Sequence, residues 1–201
     1  MQPQWYGDRR DLVKWGTLLE LSRSLRLKHI LQVLYFRANK WAPIVADGKG
    51  VQISKNVIRH FRNLKSVKNI CRDVSVEILA EEFCDRKKYL ESVELRITRR
   101  RTRPGIVFLD PDTGLEPESG RFGHQHVTEA ELFGIWQALF PGDLLAFYQH
   151  QDNHAGREWK ERKRLQFAGA LALTGTQTAR VKLAHAPKAA HDVAFFFVQK
   201  R

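Results

Sequence analysis

Three short apolar runs limit what this chain can fold into: 30–36 (Ile-Leu-Gln-Val-Leu-Tyr-Phe), 106–109 (Ile-Val-Phe-Leu) and 144–148 (Leu-Leu-Ala-Phe-Tyr). Each is long enough for a buried strand and too short for a helix. Helical patterns separate them. Asp8 stands as N-cap to 8–24, with Asp11 in capping-box position and Leu12, Trp15, Leu19 and Ser22 at helical spacing. A second helix is expected over 54–64 on Val57, Ile58, Phe61 and Leu64, and a third over 85–99 on Tyr89, Leu90, Val93 and Ile97. Thr128 and Glu131 open a fourth over 128–139, and 157–173 is a basic, then apolar, fifth. Residues 74–79 read as a strand, 37–50 as an irregular loop, and 181–184 and 193–198 as two closing strands around Pro187-Lys188-Ala189-Ala190. Strands alternate with helices until that last pair. This order predicts one α/β domain over 1–201, a mostly parallel sheet covered by helices with a C-terminal antiparallel hairpin at one edge.

Composition excludes several classes. With 43% hydrophobic and 10% aromatic residues, the 201-residue chain can build a core, which excludes intrinsic disorder. No apolar run reaches the roughly 18–20 residues of a membrane span, so no membrane partner is expected. The N-terminus lacks the basic-then-apolar order of a signal peptide. Cys71 and Cys84 form no CxxC unit or disulfide framework, so a reducing cytoplasm is the expected location.

The net charge of +12 attracts polyanions by neutralising phosphates and releasing counterions. It is unevenly spread. Residues 104–150 carry one basic side chain against seven acidic ones, inside a chain that is basic on both sides. Arg96, Arg99, Arg100, Arg101 and Arg103 form one basic cluster, and Lys160, Arg162, Lys163 and Arg164 beside Trp159 form another. Both suit phosphate contacts, with Trp159 able to stack on a base. A solvated face, or a helix C-terminus that favours cations, accounts for the same residues.

The acidic segment begins with Asp110-Pro111-Asp112-Thr113-Gly114, directly after the strand 106–109. Carboxyl ends of strands gather functional groups in open α/β sheets. Asp110 there could accept a hydrogen bond from an exocyclic amine. Alternatively, Asp110, Asp112 and Glu116 could hold a hard divalent cation such as Mg²⁺ for phosphodiester hydrolysis, with His150 as general base. As a third reading, the segment is a turn whose carboxylates cap backbone N–H groups. Asp8, Asp11 and Lys14 lie on one side of the first helical turn, where capping and an Asp11–Lys14 pair compete with a role facing a ligand cleft. Tyr148 and Gln149 end the third apolar run, where they could touch a base edge. His124-x-His126 and His150-x-x-x-His154 lack the rest of a zinc site.

Gly7-Asp8-x-x-Asp11-Leu12-Val13-Lys14-Trp15 and Gly105-Ile106-Val107-Phe108-Leu109-Asp110-Pro111 resemble two segments of the RlmJ-like family. Its members are class I, S-adenosylmethionine-dependent enzymes that methylate the exocyclic amine of an adenine in ribosomal RNA. The resemblance implies a Rossmann-like, methyltransferase-like fold, with Asp110 as the amine-binding aspartate. It implies that Asp8, Asp11 and Lys14 form the polar face of the first helix, here assigned to the cofactor side. The chain has Asp112 and Thr113 where the family has a proline and an aromatic residue. After the first strand it has Arg37-Ala38-Asn39-Lys40-Trp41 in place of a glycine-rich cofactor loop, and Gly48-x-Gly50 comes about a dozen residues late. The chain also resembles a set of small uncharacterised bacterial proteins that share the Phe-Leu-Asp-Pro-Asp-Thr-Gly-Leu loop and the Tyr-Gln-His segment. Three expectations follow: a nucleic-acid-acting protein on a methyltransferase-like scaffold, active or inactive; a metal-dependent nuclease; or a non-enzymatic nucleic-acid-binding module.

Overall fold

Two hydrophobic cores, one on each side of a six-stranded sheet, account for the apolar runs. In the computed structural model, which describes residues 9–36, 44–46, 49–52, 64–118, 120, 122–151 and 158–201, helix α1 (Arg9–Leu25) precedes β1 (His29–Val33). A small hairpin, β2 (Ile44–Ala46) with β3 (Lys49–Val51), and a 3-10 turn (Leu64–Asn69) lead to β4 (Ser75–Leu79). Then come α2 (Arg86–Arg99), β5 (Ile106–Leu109), the short β6 (Gly114–Leu115) and β7 (His126–Val127), and α3 (Glu129–Ala138). The chain ends with β8 (Leu144–His150), α4 (Trp159–Ala170), a 3-10 turn (Gly175–Arg180), β9 (Lys182–Ala186) and β10 (Ala190–Gln199).

The sheet order is β4-β1-β5-β8-β10-β9. The first four strands run parallel, and β10 lies antiparallel to both β8 and β9. Alternate side chains feed opposite cores, as the period of two in a strand requires. Leu31, Val33, Val107, Leu109, Leu145 and Phe147 pack under α2, α3 and α4. Ile30, Ile106, Phe108, Leu144, Ala146 and Tyr148 pack under α1 through Trp15 and Leu18. Every residue of β5 is buried because both of its faces are covered. The architecture is a three-layer, Rossmann-like α/β fold with an antiparallel edge.

Local chemistry sets the helix starts. Asp85 caps α2 by accepting from Lys88 N–H at 3.1 Å. Thr128 and Glu131 form the expected capping box on α3. Arg86 then clamps Glu131 at 2.7 and 2.8 Å and donates to the carbonyls of Gly123 and His126, tying α2 to α3 and to the loop before it. Asp8 and nearly all of the helix expected over 54–64 lie outside the described residues, as do 37–43 and His154. Among the described residues no helix is long and apolar enough to cross a membrane.

Candidate functional site

Strand order reverses between β1 and β5, because β1 has β4 on one side and the rest of the sheet on the other. Open α/β sheets bind ligands at the carboxyl ends of the strands at such a point. Asp110 follows β5 directly and is fully buried there. Gln32 of β1 reaches across the reversal and donates from Nε2 to Asp110 Oδ2 at 2.9 Å. From the layer above, Lys14 of α1 places Nζ 2.8 Å from Asp110 Oδ1 and 3.1 Å from Asp11 Oδ1. The same ammonium lies 4.3 Å from the centre of the Tyr148 ring. Gln32 Oε1 is buried and has no partner among the described residues. Asp11, Lys14 and Asp110 therefore form one buried polar cluster on a largely apolar face.

The charges in this cluster depend on each other. Desolvation pulls the Lys14 pKa down, but Asp110, Asp11 and Tyr148 more than offset it, so it ends above the ordinary lysine value. Burial raises the Tyr148 phenol, with Lys14 opposing and Asp110 adding to the shift. Lys14 is thus a fixed cation rather than a proton acceptor.

A second polar group adjoins the first. Asp192 of β10 takes Arg10 at 2.5 Å and His150 Nε2 at 3.1 Å through Oδ2. His150 Nδ1 faces the Gln151 carbonyl at 2.9 Å. Both ring nitrogens of His150, the candidate general base, thus face oxygen atoms of the chain.

Gln149 is buried and serves the loop after Asp110. Its Oε1 accepts from Leu115 N–H at 2.9 Å, and its Nε2 donates to the carbonyls of Thr113 and His150. Gly114 has φ +126°, and a Cβ there would stand 2.4 Å from the Gln149 side chain. Gln149 thus pins the loop Asp-Pro-Asp-Thr-Gly, while the Asp110 carboxylate meets the side chains of Lys14 and Gln32 rather than a backbone N–H group. Asp112 is half-buried, and the Glu116 carboxylate accepts from Glu129 N–H at 2.7 Å at the start of α3. Among the described residues no three His, Cys, Asp or Glu side chains converge as a metal ion requires. Asp110, Asp112 and Glu116 are therefore not brought together as a ligand set.

The basic candidates separate into two groups. Arg100 is buried and pairs with Asp143 at 2.6 Å, so it faces the interior rather than a phosphate. Trp159, the first residue of α4, is buried in the core and offers no ring for stacking. Lys163 is buried, donating to the Glu116 carbonyl at 3.1 Å and to Gln166 Oε1 at 2.7 Å. Arg164 bridges Glu161 and the carbonyls of Thr178 and Val181. The more open members are Lys160, whose ammonium lies 5.6 Å from the Trp159 ring, and Arg162, 3.5 Å from Glu118. Arg99, Arg101 and Arg103 are exposed but precede β5, at the end of the sheet opposite Asp110. Arg103 stacks 3.4 Å from the centre of the Phe140 ring.

Gln32, Tyr148, Arg10 and Asp192 belong to the site although sequence reasoning assigns them no catalytic, metal or cofactor role. Gln32 carries a signal, being the one amide in the apolar run 30–36. Asp192 carries none, because only the antiparallel pairing of β10 with β8 brings it beside His150.

The strand order, with its last strand inserted antiparallel between β8 and β9, is that of a Rossmann-like α/β scaffold. Among solved structures, the chain is similar to a DUF574 family protein from Streptomyces avermitilis, at 11% identity over 96% of this chain and 82% of that one, with a TM-score of 0.42. It is also similar to the N-methyltransferase NodS from Bradyrhizobium japonicum, at 12% identity over 94% of this chain and 96% of that one, with a TM-score of 0.37. No family model and no curated protein matches the chain.

Proposed function

We propose that the chain is a nucleic-acid-acting methyltransferase that uses the carboxyl end of the sheet, with Asp110 orienting the exocyclic amine of an adenine. The observation that carries this is the Lys14–Asp110–Gln32 cluster at the strand-order reversal. A carboxylate has about four lone-pair sites. Lys14 and Gln32 engage two, which leaves sites for an amine N–H. Gln32 Oε1, without a partner among the described residues, is a second acceptor in the same place. Both fit a ligand that brings N–H donors. S-adenosylmethionine, when bound, supplies an electrophilic methyl group. Glu82, exposed just beyond the end of β4 and bridged to Phe36, is the side chain that would accept ribose hydroxyls in this reading. Lys14 is a positioning residue that fixes the carboxylate.

This reading is favoured over metal-dependent hydrolysis, because Glu116 accepts at the start of α3 and, among the described residues, no three candidate ligands converge. The test is transfer of labelled methyl groups from S-adenosylmethionine to pooled RNA and DNA oligonucleotides. Wild type should label adenine, and Asp110→Asn should lose at least about tenfold in rate, or roughly 1.4 kcal/mol in the barrier, with nucleic-acid affinity nearly unchanged. Equal rates in the two proteins, or no labelling by wild type, would overturn it.

A further inference from the structure

Charge is polarised along the strand direction. Around the carboxyl ends the rim carries Glu81, Glu82, Asp85, Glu116, Glu118 and Glu129 beside its basic residues. The amino ends are different. An open groove of about 760 Å³ runs there between the residue before β1, the segment before β4 and the segment after α2, lined by Lys28, Lys68, Asn69, Arg72, Ser75 and Thr102. It joins a second groove of about 510 Å³ that adds Arg23 and Arg26 from the end of α1. Arg99 and Arg101 are exposed beside Thr102. Among the described residues, Asp73 is the one carboxylate lining the first groove; it also lines the second, where Glu20 is paired with Arg23 at 2.5 Å.

We propose that this trough at the amino end of the sheet docks the phosphate backbone of a nucleic acid, remote from Asp110. Basic side chains from two chain segments, 23–28 and 68–72, line a groove rather than a plane, with Arg101 next to the lining Thr102, and such a groove tracks a backbone. Asn69, Ser75 and Thr102 add neutral groups of the kind that contact phosphate oxygens. Arginine predominates among the outer cations, and its planar fork suits phosphate geometry. The contact reads no sequence and acts as a tether, raising the local concentration of substrate for the opposite end. The proposal rests on the nucleic-acid part of the reading above and not on methyl transfer.

The test is the salt dependence of binding to a fluorescent duplex, measured by anisotropy on the full chain. Replacing Lys68, Arg72 and Arg101 with Ala should lower the slope of log K against log salt by up to about 0.9 for each phosphate no longer neutralised. Replacing Lys87, Lys88 and Lys188, an equal charge change at the other end, should leave the slope in place. An equal fall in both, or a fall only in the second, overturns the proposal and leaves the nucleic-acid reading standing. Absence of salt-dependent binding by wild type, to duplex or single strand, sinks both. Tighter binding to phosphatidylserine vesicles than to the duplex overturns it in favour of a membrane surface.

Discussion

Lys14 shows what a single residue does for this site. Buried, it keeps its charge only because Asp110 and Asp11 face it. Removing one member of a buried pair strands the other, so Lys14→Met should cost about 3–5 kcal/mol in urea unfolding. Adding Asp110→Asn to it should recover much of that loss, and a loss equal to the sum of the two single changes would refute the coupling. At the far end of the sheet, Arg100→Ala should cost a similar amount, since Asp143 is then left with the backbone N–H groups of Gly105 and Phe140. It should leave the salt slope of nucleic-acid binding unchanged, which a phosphate contact at Arg100 would not. Two histidines set a pH dependence. Burial first, then Arg100, lowers the pKa of His29 below 6.5, and burial with Lys163 and Arg86 lowers His126. The folded values lie below the unfolded ones, so the unfolded chain binds more protons in that window. Stability should therefore fall as pH drops through about 6.5 and level off below the folded values. His29→Asn with His126→Asn should flatten the urea midpoint between about pH 7.5 and 5.

Among the elements, much was legible, and the failures have identifiable causes. The strand 106–109 and the Thr128–Glu131 capping box were readable because runs and caps are local signals. The third apolar run reads as ending at Tyr148, yet β8 continues through His150. Gln149 and His150 are polar, and they extend the strand because β10 pairs with both and Gln149 serves the loop beside it. The helix read over 157–173 is shorter, as Ala172 takes φ +56° just past the end of α4. The loop that follows Asp110 depends on Gly114. Gly114→Ala meets both a positive φ and the Gln149 side chain at 2.4 Å, so it should destabilise the protein by more than about 1 kcal/mol. Thr128→Ala should cost about 1 kcal/mol. Calorimetric melting of both variants checks the two costs.

For the whole molecule, the acidic segment was a real signal with a partly structural meaning. Its carboxylates meet cations from elsewhere in the chain: Asp110 with Lys14, Glu131 with Arg86, Asp143 with Arg100 and Glu118 with Arg162. Sequence showed the imbalance but not the pairs, because each joins distant segments. It also showed Arg99, Arg101 and Arg103 as a cluster without showing that they lie at the end of the sheet opposite Asp110, which strand direction decides. Everything proposed for the carboxyl end depends on the strand-order reversal, with Asp110 at its centre, being a ligand site of the methyltransferase kind. Calorimetric titration of S-adenosylhomocysteine into the full chain decides that point. One-to-one binding is expected, weakening at least about tenfold, about 1.4 kcal/mol, when Glu82 is replaced by Ala. No heat of binding, together with no rise in melting temperature at saturating ligand, would rule the site out.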